Sequence, residues 1–416
     1  MNIEIISIGD ELLIGQTVNT NASWIGAELL KSGRTVRWVT TVGDHRHDLT
    51  GALETALSRA DVVLLTGGLG PTHDDITKAV VAELFGVTCS LDQAILEQIK
   101  QRFRRRGIPM ARVNEEQARV PQGAEVLSND QGTAPGFLFR RDGVRIYVMP
   151  GVPREMKSMM QRLVLPELVK DRDGGFNMKM LCTTGIPEST LYEKIGDLGQ
   201  LDPAVRIAFL PSLAGVRLRI SANADTDRDA EERVSSAADW LRRKIESFIY
   251  AEEDISLAEA VGRILKERGM KLAVAESCTG GWIAHQLTNI PGSSAFFERG
   301  IISYSNASKI ELLGVPAGLV ERYGAVSEPV ARAMAEGVRR LARADAGLST
   351  TGIAGPAGGT VSKPVGRVYV GYADAGESAV REHHYANDRL GNKERFAQAA
   401  LNLLRLKLQE NSGHGG

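Results

Sequence analysis

Residues 271–287 read KLAVAESCTGGWIAHQL, and this stretch decides the fold. The apolar run at 271–275 predicts a buried strand, and the apolar spacing over 282–287 predicts a helix. Between them, Ser277 lies where the strand ends and the helix begins, so its hydroxyl stands beside backbone N–H groups that have no helical partner. The pattern therefore predicts an α/β layer with a ligand-facing loop at one edge of its sheet.

The same alternation of strand and helix runs through residues 1–170. The run DVVLLT at 61–66 is typical of a parallel strand that is covered on both faces. Four elements are predicted in a shorter middle piece: strands at 178–182 and 216–222, and helices at 190–198 and 229–246. We therefore predict an α/β protein with two three-layer α/β domains joined by a small α+β domain. Their predicted bounds are 1–170, 176–250 for the small domain, and 255–412.

The chain has 416 residues, a formal net charge of −1 and three cysteines that are far apart in sequence. This charge gives no electrostatic argument for a nucleic-acid or membrane partner, and residues 102–106 form the one basic cluster. Unpaired cysteines are typical of a reducing compartment, and the acidic start of the chain does not resemble a signal peptide. We expect a cytoplasmic protein with no membrane span and no direct contact with nucleic acid.

Ser277 and Lys309 carry the chemistry that we predict for the last domain. Amide hydrolysis needs a nucleophile, a base, an oxyanion site and a proton for the leaving nitrogen. Ser277 can be the nucleophile, and Lys309 can be the base provided that burial lowers its pKa toward neutrality. Gly280 and Gly281 are predicted to leave backbone N–H groups open at a helix start, which suits an oxyanion or a phosphate.

Two other segments complete the predicted site. Tyr304 and Asn306 alternate along the run SYSNASK at 303–309, which we interpret as extended, and therefore share a face. The run TGIAGPAGG at 351–359 is dense in glycine but matches neither a Walker loop nor a dinucleotide fingerprint. A phosphate monoester fits such a loop, and Arg389 is a candidate partner for it.

Simpler interpretations of the same residues stay open. Ser277 and Thr279 belong to the residue types that cap a helix, and their spacing alone favours that role. Lys309 taken alone is typical of a solvated lysine at a helix start, and the glycines of 351–359 are also typical of a tight turn. Spacing by itself does not decide between a catalytic loop and a capped helix.

Ordered motifs recur along the last domain. They are AESCTGG at 275–281, GSS at 292–294, FERG at 297–300, SYSN at 303–306 with Lys309, GAVSE at 324–328, and GIAGP at 352–356 with GG at 358–359. In this order they resemble the CinA C-terminal domain, the PncC-type nicotinamide-mononucleotide amidohydrolases. The resemblance covers about 255–410 and implies deamidation of nicotinamide mononucleotide to nicotinic acid mononucleotide and ammonia, without a cofactor.

The resemblance also implies roles for individual residues. Ser277 is similar to the nucleophile and Lys309 to the base of that family, and Tyr304 looks like a supporting catalytic group. The implied substrate contacts are Thr279, Gly280, Gly281, Asn306, Gly352, Gly355, Gly358 and Arg389.

A second glycine loop follows the apolar strand of the first domain. Residues 66–77 read TGGLGPTHDDIT, and Gly67, Gly68, Gly70 and Thr72 are predicted to let a phosphate approach the backbone. The carboxylates predicted to hold a divalent cation at this sheet edge are Asp10, Glu11, Asp74 and Asp75. Helix capping by the two loop aspartates is an equally good interpretation of their position.

Further motifs accompany this loop. They are GDELL at 9–13, GGLGPT at 67–72 with the two aspartates, Asn114 with Gln117, Pro121 with Gly123 and Ala124, GTAPG at 132–136, and PGVP at 150–153 with Glu155 and Met156. They resemble the CinA N-terminal domain, which is similar to the MoaB/MogA molybdopterin-binding fold. The resemblance implies a metal-dependent ADP-ribose pyrophosphatase, although not in every member.

Two alternatives to a pair of nucleotide hydrolases remain. In one alternative, the first domain is a non-hydrolytic module that binds a molybdopterin-like ligand. In the other, the chain is a partner protein in competence or recombination. On the enzymatic interpretation the partners are the small-molecule nucleotides nicotinamide mononucleotide and ADP-ribose. We also expect a homodimer.

Overall fold

The computed structural model describes residues 1–410. It divides into two compact units, one formed by Met1–Asn177 with Asn223–Asp229 and the other by Met178–Ala222 with the chain from Ala230 onward. Residues 411 and 412, which the sequence analysis includes in the last domain, lie outside the described residues. No helix within residues 1–410 has both the length and the apolar character needed to cross a bilayer.

The first unit alternates strands and helices. Its strands are β1 (Ile3–Ile8), β2 (Val36–Val42), β3 (Val62–Thr66), β4 (Cys89–Leu91), β5 (Arg119–Pro121), β6 (Glu125–Leu127), β7 (Gly136–Arg141) and β8 (Val144–Met149). Its helices are α1 (Asp10–Leu13), α2 (Thr20–Lys31), α3 (Arg46–Arg59), α4 (Thr77–Leu84), α5 (Gln93–Arg105), α6 (Pro153–Met159) and α7 (Leu165–Lys170). Six strands form one sheet in the order β2-β1-β3-β8-β7-β6.

Strands β2, β1, β3 and β8 of this sheet are parallel, whereas β7 pairs antiparallel with β8 and β6 pairs antiparallel with β7. Every residue of β1 and β3 is buried, because separate apolar clusters pack on the two faces of the sheet. The parallel arrangement brings the carboxyl ends of β1 and β3 to the same edge. The loops after Ile8 and Thr66 therefore lie side by side.

The small domain follows. Its elements are β9 (Gly175–Thr183), α8 (Glu188–Ile195), β10 (Val205–Ser212), β11 (Gly215–Ala224), α9 (Asp227–Ile245) and β12 (Ile249–Ala251), with the sheet order β10-β11-β9-β12. Strands β10 and β12 are not among the elements predicted from the sequence. Their residues are half-buried or exposed, so neither strand shows a continuous apolar run.

The last domain is again α/β. Its elements are α10 (Leu257–Glu267), β13 (Leu272–Glu276), α11 (Trp282–Thr288), β14 (Phe297–Ile302), α12 (Asn306–Leu313), α13 (Ala317–Tyr323), α14 (Glu328–Ala342), β15 (Ala346–Gly352), β16 (Arg367–Ala373), β17 (Ser378–His384) and α15 (Arg389–Glu410). The sheet order is β14-β13-β15-β16-β17, with β14, β13 and β15 parallel. The predicted fold class, two α/β domains around a small α+β domain, is confirmed.

Helix α15 also ties the small domain to the last domain. Arg405 is only 1% exposed, and its guanidinium donates to the backbone carbonyls of Ser247 (2.9 Å) and Ile249 (3.1 Å). These carbonyls belong to the turn and the short strand that end the small domain. These two carbonyls provide acceptors for a guanidinium that is itself buried.

Candidate active site

Ser277 is the first residue after β13, the central strand of the parallel part of the last sheet. Its backbone N–H donates to the Thr350 carbonyl (3.0 Å), which fixes the residue against β15. Its hydroxyl oxygen lies 3.1 Å from Nζ of Lys309. The side chains are almost fully removed from solvent, with exposed fractions of 7% for Ser277 and 1% for Lys309. The structure therefore brings the predicted nucleophile and the predicted base into direct contact.

Lys309 lies in the first turn of α12 and turns back toward β13. Its Nζ contacts the backbone carbonyls of Ser303 (2.8 Å) and Tyr304 (3.3 Å) in addition to the Ser277 hydroxyl. No carboxylate in residues 1–410 forms an ion pair with it, and burial lowers the pKa of the amine below its ordinary value. A neutral amine gives its two hydrogens to the two carbonyls, which leaves its lone pair facing the Ser277 hydroxyl.

The backbone amides that the sequence analysis assigned to an oxyanion are already used. The Glu276 carboxylate accepts hydrogen bonds from the amides of Gly281 (3.0 Å), Ile283 (3.2 Å) and Ala284 (2.9 Å). The Gly280 amide donates to the Ser277 carbonyl (3.2 Å). The prediction that Gly280 and Gly281 present open amides is therefore wrong, because a buried acid caps α11 from the end of β13.

Two other amides of the loop remain candidates for the oxyanion site. The amides of Cys278 and Thr279 donate to no oxygen within the described part of the chain, and both interact with the buried Cys278 thiol. The Cys278 side chain is buried, and burial raises the pKa of its thiol to about 12, so it is not a competing nucleophile. The Thr279 hydroxyl is fully buried against the Thr350 hydroxyl at 2.8 Å, which excludes a substrate contact by that side chain.

Tyr304 and Arg389 come together at the rim of the site, and no hydrogen bond within residues 1–410 connects the Asn306 side chain with either of them. The Arg389 guanidinium donates to the Gly355 carbonyl (2.5 Å) and to the Tyr304 hydroxyl (3.1 Å). Tyr304 is exposed, and its backbone carbonyl contacts Lys309. Asn306 begins α12 after the N-cap Ser305, so the interpretation of 303–309 as one extended run was wrong.

The predicted glycines of 352–358 have different reasons for lacking a side chain. A Cβ at Gly352 would lie 2.6 Å from the Arg367 carbonyl of the neighbouring strand, so close strand packing explains this glycine. Gly355 has φ +85° and a Cβ there would lie 2.5 Å from Val365. Gly358 has φ +90°, and a Cβ there would meet Ile353 at an ordinary contact distance of 3.8 Å. Only Gly358 leaves room for a ligand at its own position.

The glycine loop of the first unit is shaped by its own chain. A Cβ at Gly67 would lie 2.3 Å from the Ile8 carbonyl, and one at Gly68 would lie 2.1 Å from the Thr77 hydroxyl. A Cβ at Gly70 would lie 2.4 Å from the Asp75 carboxylate. These close approaches require glycine whether or not a phosphate binds.

Of the four predicted metal ligands, Asp75 and Asp10 already accept hydrogen bonds from backbone amides of their own domain. Asp75 accepts hydrogen bonds from the amides of Gly70 (2.6 Å) and Thr72 (2.8 Å) and from the Thr72 hydroxyl (2.5 Å). Asp10 accepts from the Asp44 amide (3.1 Å), and Asp44 accepts in return from the Asp10 amide (3.1 Å). Asp75 therefore stabilises the loop. Thr72, which was predicted to contact a phosphate, instead donates to the Asp75 carboxylate.

A cavity of about 580 Å³ collects these groups at the edge of the first sheet. Its lining includes Glu11, Asp44, Asp74 and Glu155, as well as the buried Gln117, whose Oε1 has no hydrogen-bond partner in residues 1–410. The sequence analysis missed Asp44 and gave Gln117 and Glu155 no role. Asp44 follows β2 at the same sheet edge, so its position after a predicted strand was the available signal.

The donor set of this cavity has the chemistry of a hard-cation site without its finished geometry. Burial and then the nearby carboxylates of Asp10, Glu11 and Asp74 raise the pKa of Asp44, which is the electrostatic situation that a divalent cation relieves. Within residues 1–410, no three His, Cys, Asp or Glu side chains stand close enough to hold a metal ion as they are. The carboxylates fit such an ion by chemistry but have to converge on it.

Known proteins are similar to this chain over nearly its whole length. A protein of Chloroherpeton thalassium described as a CinA-like protein is 45% identical over 414 residues, which are 97% of this chain and 99% of that protein. The chain belongs to the CinA family. A putative competence-damage inducible protein of Caldicellulosiruptor saccharolyticus is 42% identical over 407 residues, 97% of this chain and 98% of its own length.

Three family models divide the chain between them. The CinA C-terminal domain matches residues 254–408, the probable molybdopterin binding domain matches 4–170, and the damage-inducible protein CinA KH domain matches 178–251. This CinA-family chain thus carries a MoaB-like first domain and a KH-type small domain, as well as the domain that holds Ser277 and Lys309.

Two solved structures are similar to parts of this chain. The CinA protein from Thermoplasma acidophilum, described as a protein of unknown function, has 33% identity and a TM-score of 0.37, over 40% of this chain and 97% of that one. The molybdopterin biosynthesis enzyme MoaB from Thermus thermophilus has 19% identity and a TM-score of 0.28, over 41% of this chain and 94% of that one.

Proposed function

We propose that the last domain hydrolyses the carboxamide of nicotinamide mononucleotide to give nicotinic acid mononucleotide and ammonia. The observation that carries this proposal is the buried contact of 3.1 Å between the Ser277 hydroxyl and Nζ of Lys309. Burial lowers the pKa of Lys309, and no carboxylate within residues 1–410 forms an ion pair with it. Such a lysine is suited to take a proton from serine.

The proposed reaction proceeds in two halves. The Ser277 oxygen attacks the carboxamide carbon while its proton moves to Nζ of Lys309, and the negative oxygen of the tetrahedral intermediate faces the amides of Cys278 and Thr279. The C–N bond then breaks as Lys309 returns the proton to the leaving nitrogen, which departs as ammonia. A water molecule, deprotonated by the same amine, attacks the acyl-serine and releases the carboxylic acid and Ser277.

The substrate class rests on the family resemblance together with the groups at the rim. Tyr304 exposes an aromatic face beside the site, which suits stacking on a cationic pyridine ring. Arg389, whose guanidinium is held by Tyr304 and Gly355, suits an anionic part of the same molecule. A flat cationic amide that carries a phosphate matches this combination.

Ammonia release from nicotinamide mononucleotide tests the proposal. The unaltered protein, Ser277→Ala and Ser308→Ala are compared, since Ser308 offers a matched hydroxyl on α12 that, among residues 1–410, bonds only to Ser305. We expect release by the unaltered protein and by Ser308→Ala, and none above background by Ser277→Ala. Equal release by all three would make Ser277 a structural residue, and no release by any would reject the substrate.

We infer a second activity for the first unit, hydrolysis of the pyrophosphate of ADP-ribose. The cavity of about 580 Å³ is lined by acidic residues, with no lysine or arginine in its lining, so an anionic pyrophosphate needs a divalent cation to enter it. Glu11, Asp44 and Asp74 would hold that ion. The bound cation would neutralise the phosphate oxygens and promote attack by water.

The competing interpretation of this unit is a binding module without turnover. Formation of AMP and ribose 5-phosphate from ADP-ribose with added Mg²⁺ or Mn²⁺ decides between them. We expect Asp44→Asn to lose this activity and to keep the deamidation of nicotinamide mononucleotide. Binding of ADP-ribose with no product under any metal would instead favour the module.

A partner role in competence or recombination has less support. KH domains hold nucleic-acid backbones with a GXXG loop, and residues 196–199 read GDLG after α8. The Asp197 carboxylate accepts from the Gly199 amide at 2.8 Å, so it takes up a loop amide and adds a negative charge. We expect no binding of single-stranded DNA or RNA in a gel-shift assay. The expected homodimer and cytoplasmic location stay predictions.

A further inference from the structure

Two cations lie at the rim of the Ser277–Lys309 site without acidic partners. Arg389 and Lys393 are four residues apart in the first two turns of α15, so their side chains share one face of the helix. In residues 1–410, neither side chain forms an ion pair with a carboxylate. The Asp388 carboxylate, next in sequence, accepts from the Gly391 amide at 2.7 Å.

Lys393 stands over the loop that carries Ser277. Its Nζ lies 5.7 Å from the centre of the Trp282 ring, and a methyl group at Gly280 would lie 3.5 Å from it. The side chain is half-buried, and its ammonium donates to no oxygen of the described chain. A half-buried ammonium group without an anionic partner is stabilised when an anion binds next to it.

Arg389 marks the other side of the same opening. Its hydrogen bonds to the Tyr304 hydroxyl and the Gly355 carbonyl leave further N–H donors of the guanidinium available. Arg389 is thus tied to the strand end that positions Lys309, and Lys393 to the loop that positions Ser277. The start of α15 adds the positive end of its dipole to both.

We propose that Lys393, together with Arg389, binds the phosphate of the substrate and makes the site select a nucleotide over the matching nucleoside. The proposal rests on the deamidase function proposed above for the identity of the amide. A phosphate monoester carries a charge of about −1.5 to −2 and accepts charge-assisted hydrogen bonds from both side chains. The rival explanation is that Lys393 only packs against Trp282.

Steady-state kinetics with nicotinamide mononucleotide and nicotinamide riboside separate these explanations, because the riboside lacks the phosphate. We expect Lys393→Gln to raise KM for the nucleotide roughly tenfold to a hundredfold with little change in kcat, and to leave the riboside unaffected. Lys393→Arg should restore part of the affinity. Lys407→Gln is the control, since it removes a lysine about 21 Å further along the same helix.

A purely structural Lys393 would shift the constants of both substrates equally, or those of neither, and either result overturns the proposal. A second measurement does not depend on deamidation. Titration calorimetry of the full-length protein with ribose 5-phosphate should show binding to the unaltered protein and to Ser277→Ala, and roughly tenfold weaker binding to Lys393→Gln. Binding that Lys393→Gln leaves unchanged, or no binding at all, would also overturn it.

The two measurements keep the proposals apart. If the protein releases no ammonia from the nucleotide but binds ribose 5-phosphate through Lys393, the deamidase fails and the phosphate site stands. If ammonia is released and Lys393→Gln behaves like the unaltered protein with both probes, the deamidase stands and the phosphate site fails.

Discussion

The C-terminal and N-terminal sites occupy the same kind of place, the carboxyl edge of a parallel sheet, but differ in how complete they are. In the C-terminal site the proposed nucleophile Ser277 and the proposed base Lys309 are buried, and their side-chain atoms are already 3.1 Å apart. In the N-terminal site Asp75 is fully used by its own loop, and the other acids have not converged. On the functions proposed above, the C-terminal site is preorganised, whereas the N-terminal site would be assembled by a divalent cation.

The electrostatics of the two sites explain this difference. Lys309 is surrounded by neutral carbonyl acceptors, so burial lowers the pKa of its amine and needs no counter-charge. The acids of the first unit carry like charges, which repel one another until a cation neutralises them. In the proposed reactions, Lys309 acts as a base without a metal ion, whereas the acids of the first unit would act by binding a divalent cation.

Removal of divalent ions is the strongest way to break this comparison. We expect EDTA to abolish hydrolysis of ADP-ribose, because the acidic cavity then repels the pyrophosphate, and to leave ammonia release unchanged. Both products are measured in one sample of protein, and added Mg²⁺ should restore the first activity. Loss of both activities on chelation would show that the two sites do not differ in this way.

Replacement of the base tests the preorganised half. Lys309→Arg keeps a positive charge that cannot be removed at accessible pH, and Lys309→Met keeps a similar length without an amine. We expect both to lower kcat/KM for deamidation by roughly 10²–10⁴-fold, since general-base catalysis contributes about that much. A Lys309→Arg protein that is folded by circular dichroism and still active would contradict a lysine base.

The pH profile of deamidation sharpens the same point. Because burial lowers the pKa of Lys309, the neutral amine appears at lower pH than in a solvated lysine. On the acid side, kcat/KM should rise about tenfold per pH unit and level off below the ordinary lysine value of 10.5. A midpoint at or above that value would mean that the amine is not the base.

The capping acids of the two loops should differ in their effect on stability. Glu276→Gln leaves one acceptor oxygen for three amides of α11, and we expect a loss of about 1–3 kcal/mol in urea unfolding of the second unit. Asp75→Asn weakens a more exposed loop of the first unit, at a cost of about 1 kcal/mol. Equal losses would remove this distinction between the two sites.

The sequence supported the α/β fold because β3 and β13 are continuous apolar runs that end in glycine-rich loops. The sequence also predicted that Ser277 and Lys309 act together, and their side chains are in contact although they lie 32 positions apart. The extended interpretation of 303–309 failed because Ser305 caps a helix there. The amide assignment at Gly281 failed because Glu276, an acid within a buried strand, was given no role.

Lys393 and Asp44 show a different limit of the sequence. Neither belongs to the motifs that carried the resemblance, and each reaches its site from an element distant in sequence. Local patterns predict what a residue does for its own helix or strand. They do not predict which side chains from a later helix or an earlier loop meet at the same edge.

The buried Arg405 has a consequence for dividing the protein. Arg389 lies at the rim of the candidate active site, and Arg405 contacts the small domain about 24 Å further along helix α15. One helix therefore connects the two places. A shortened protein that begins at Ser256 would lose the carbonyls of Ser247 and Ile249 that receive this guanidinium. The C-terminal domain taken alone would then carry a positive charge on a newly opened surface, at the far end of the helix that contributes Lys393.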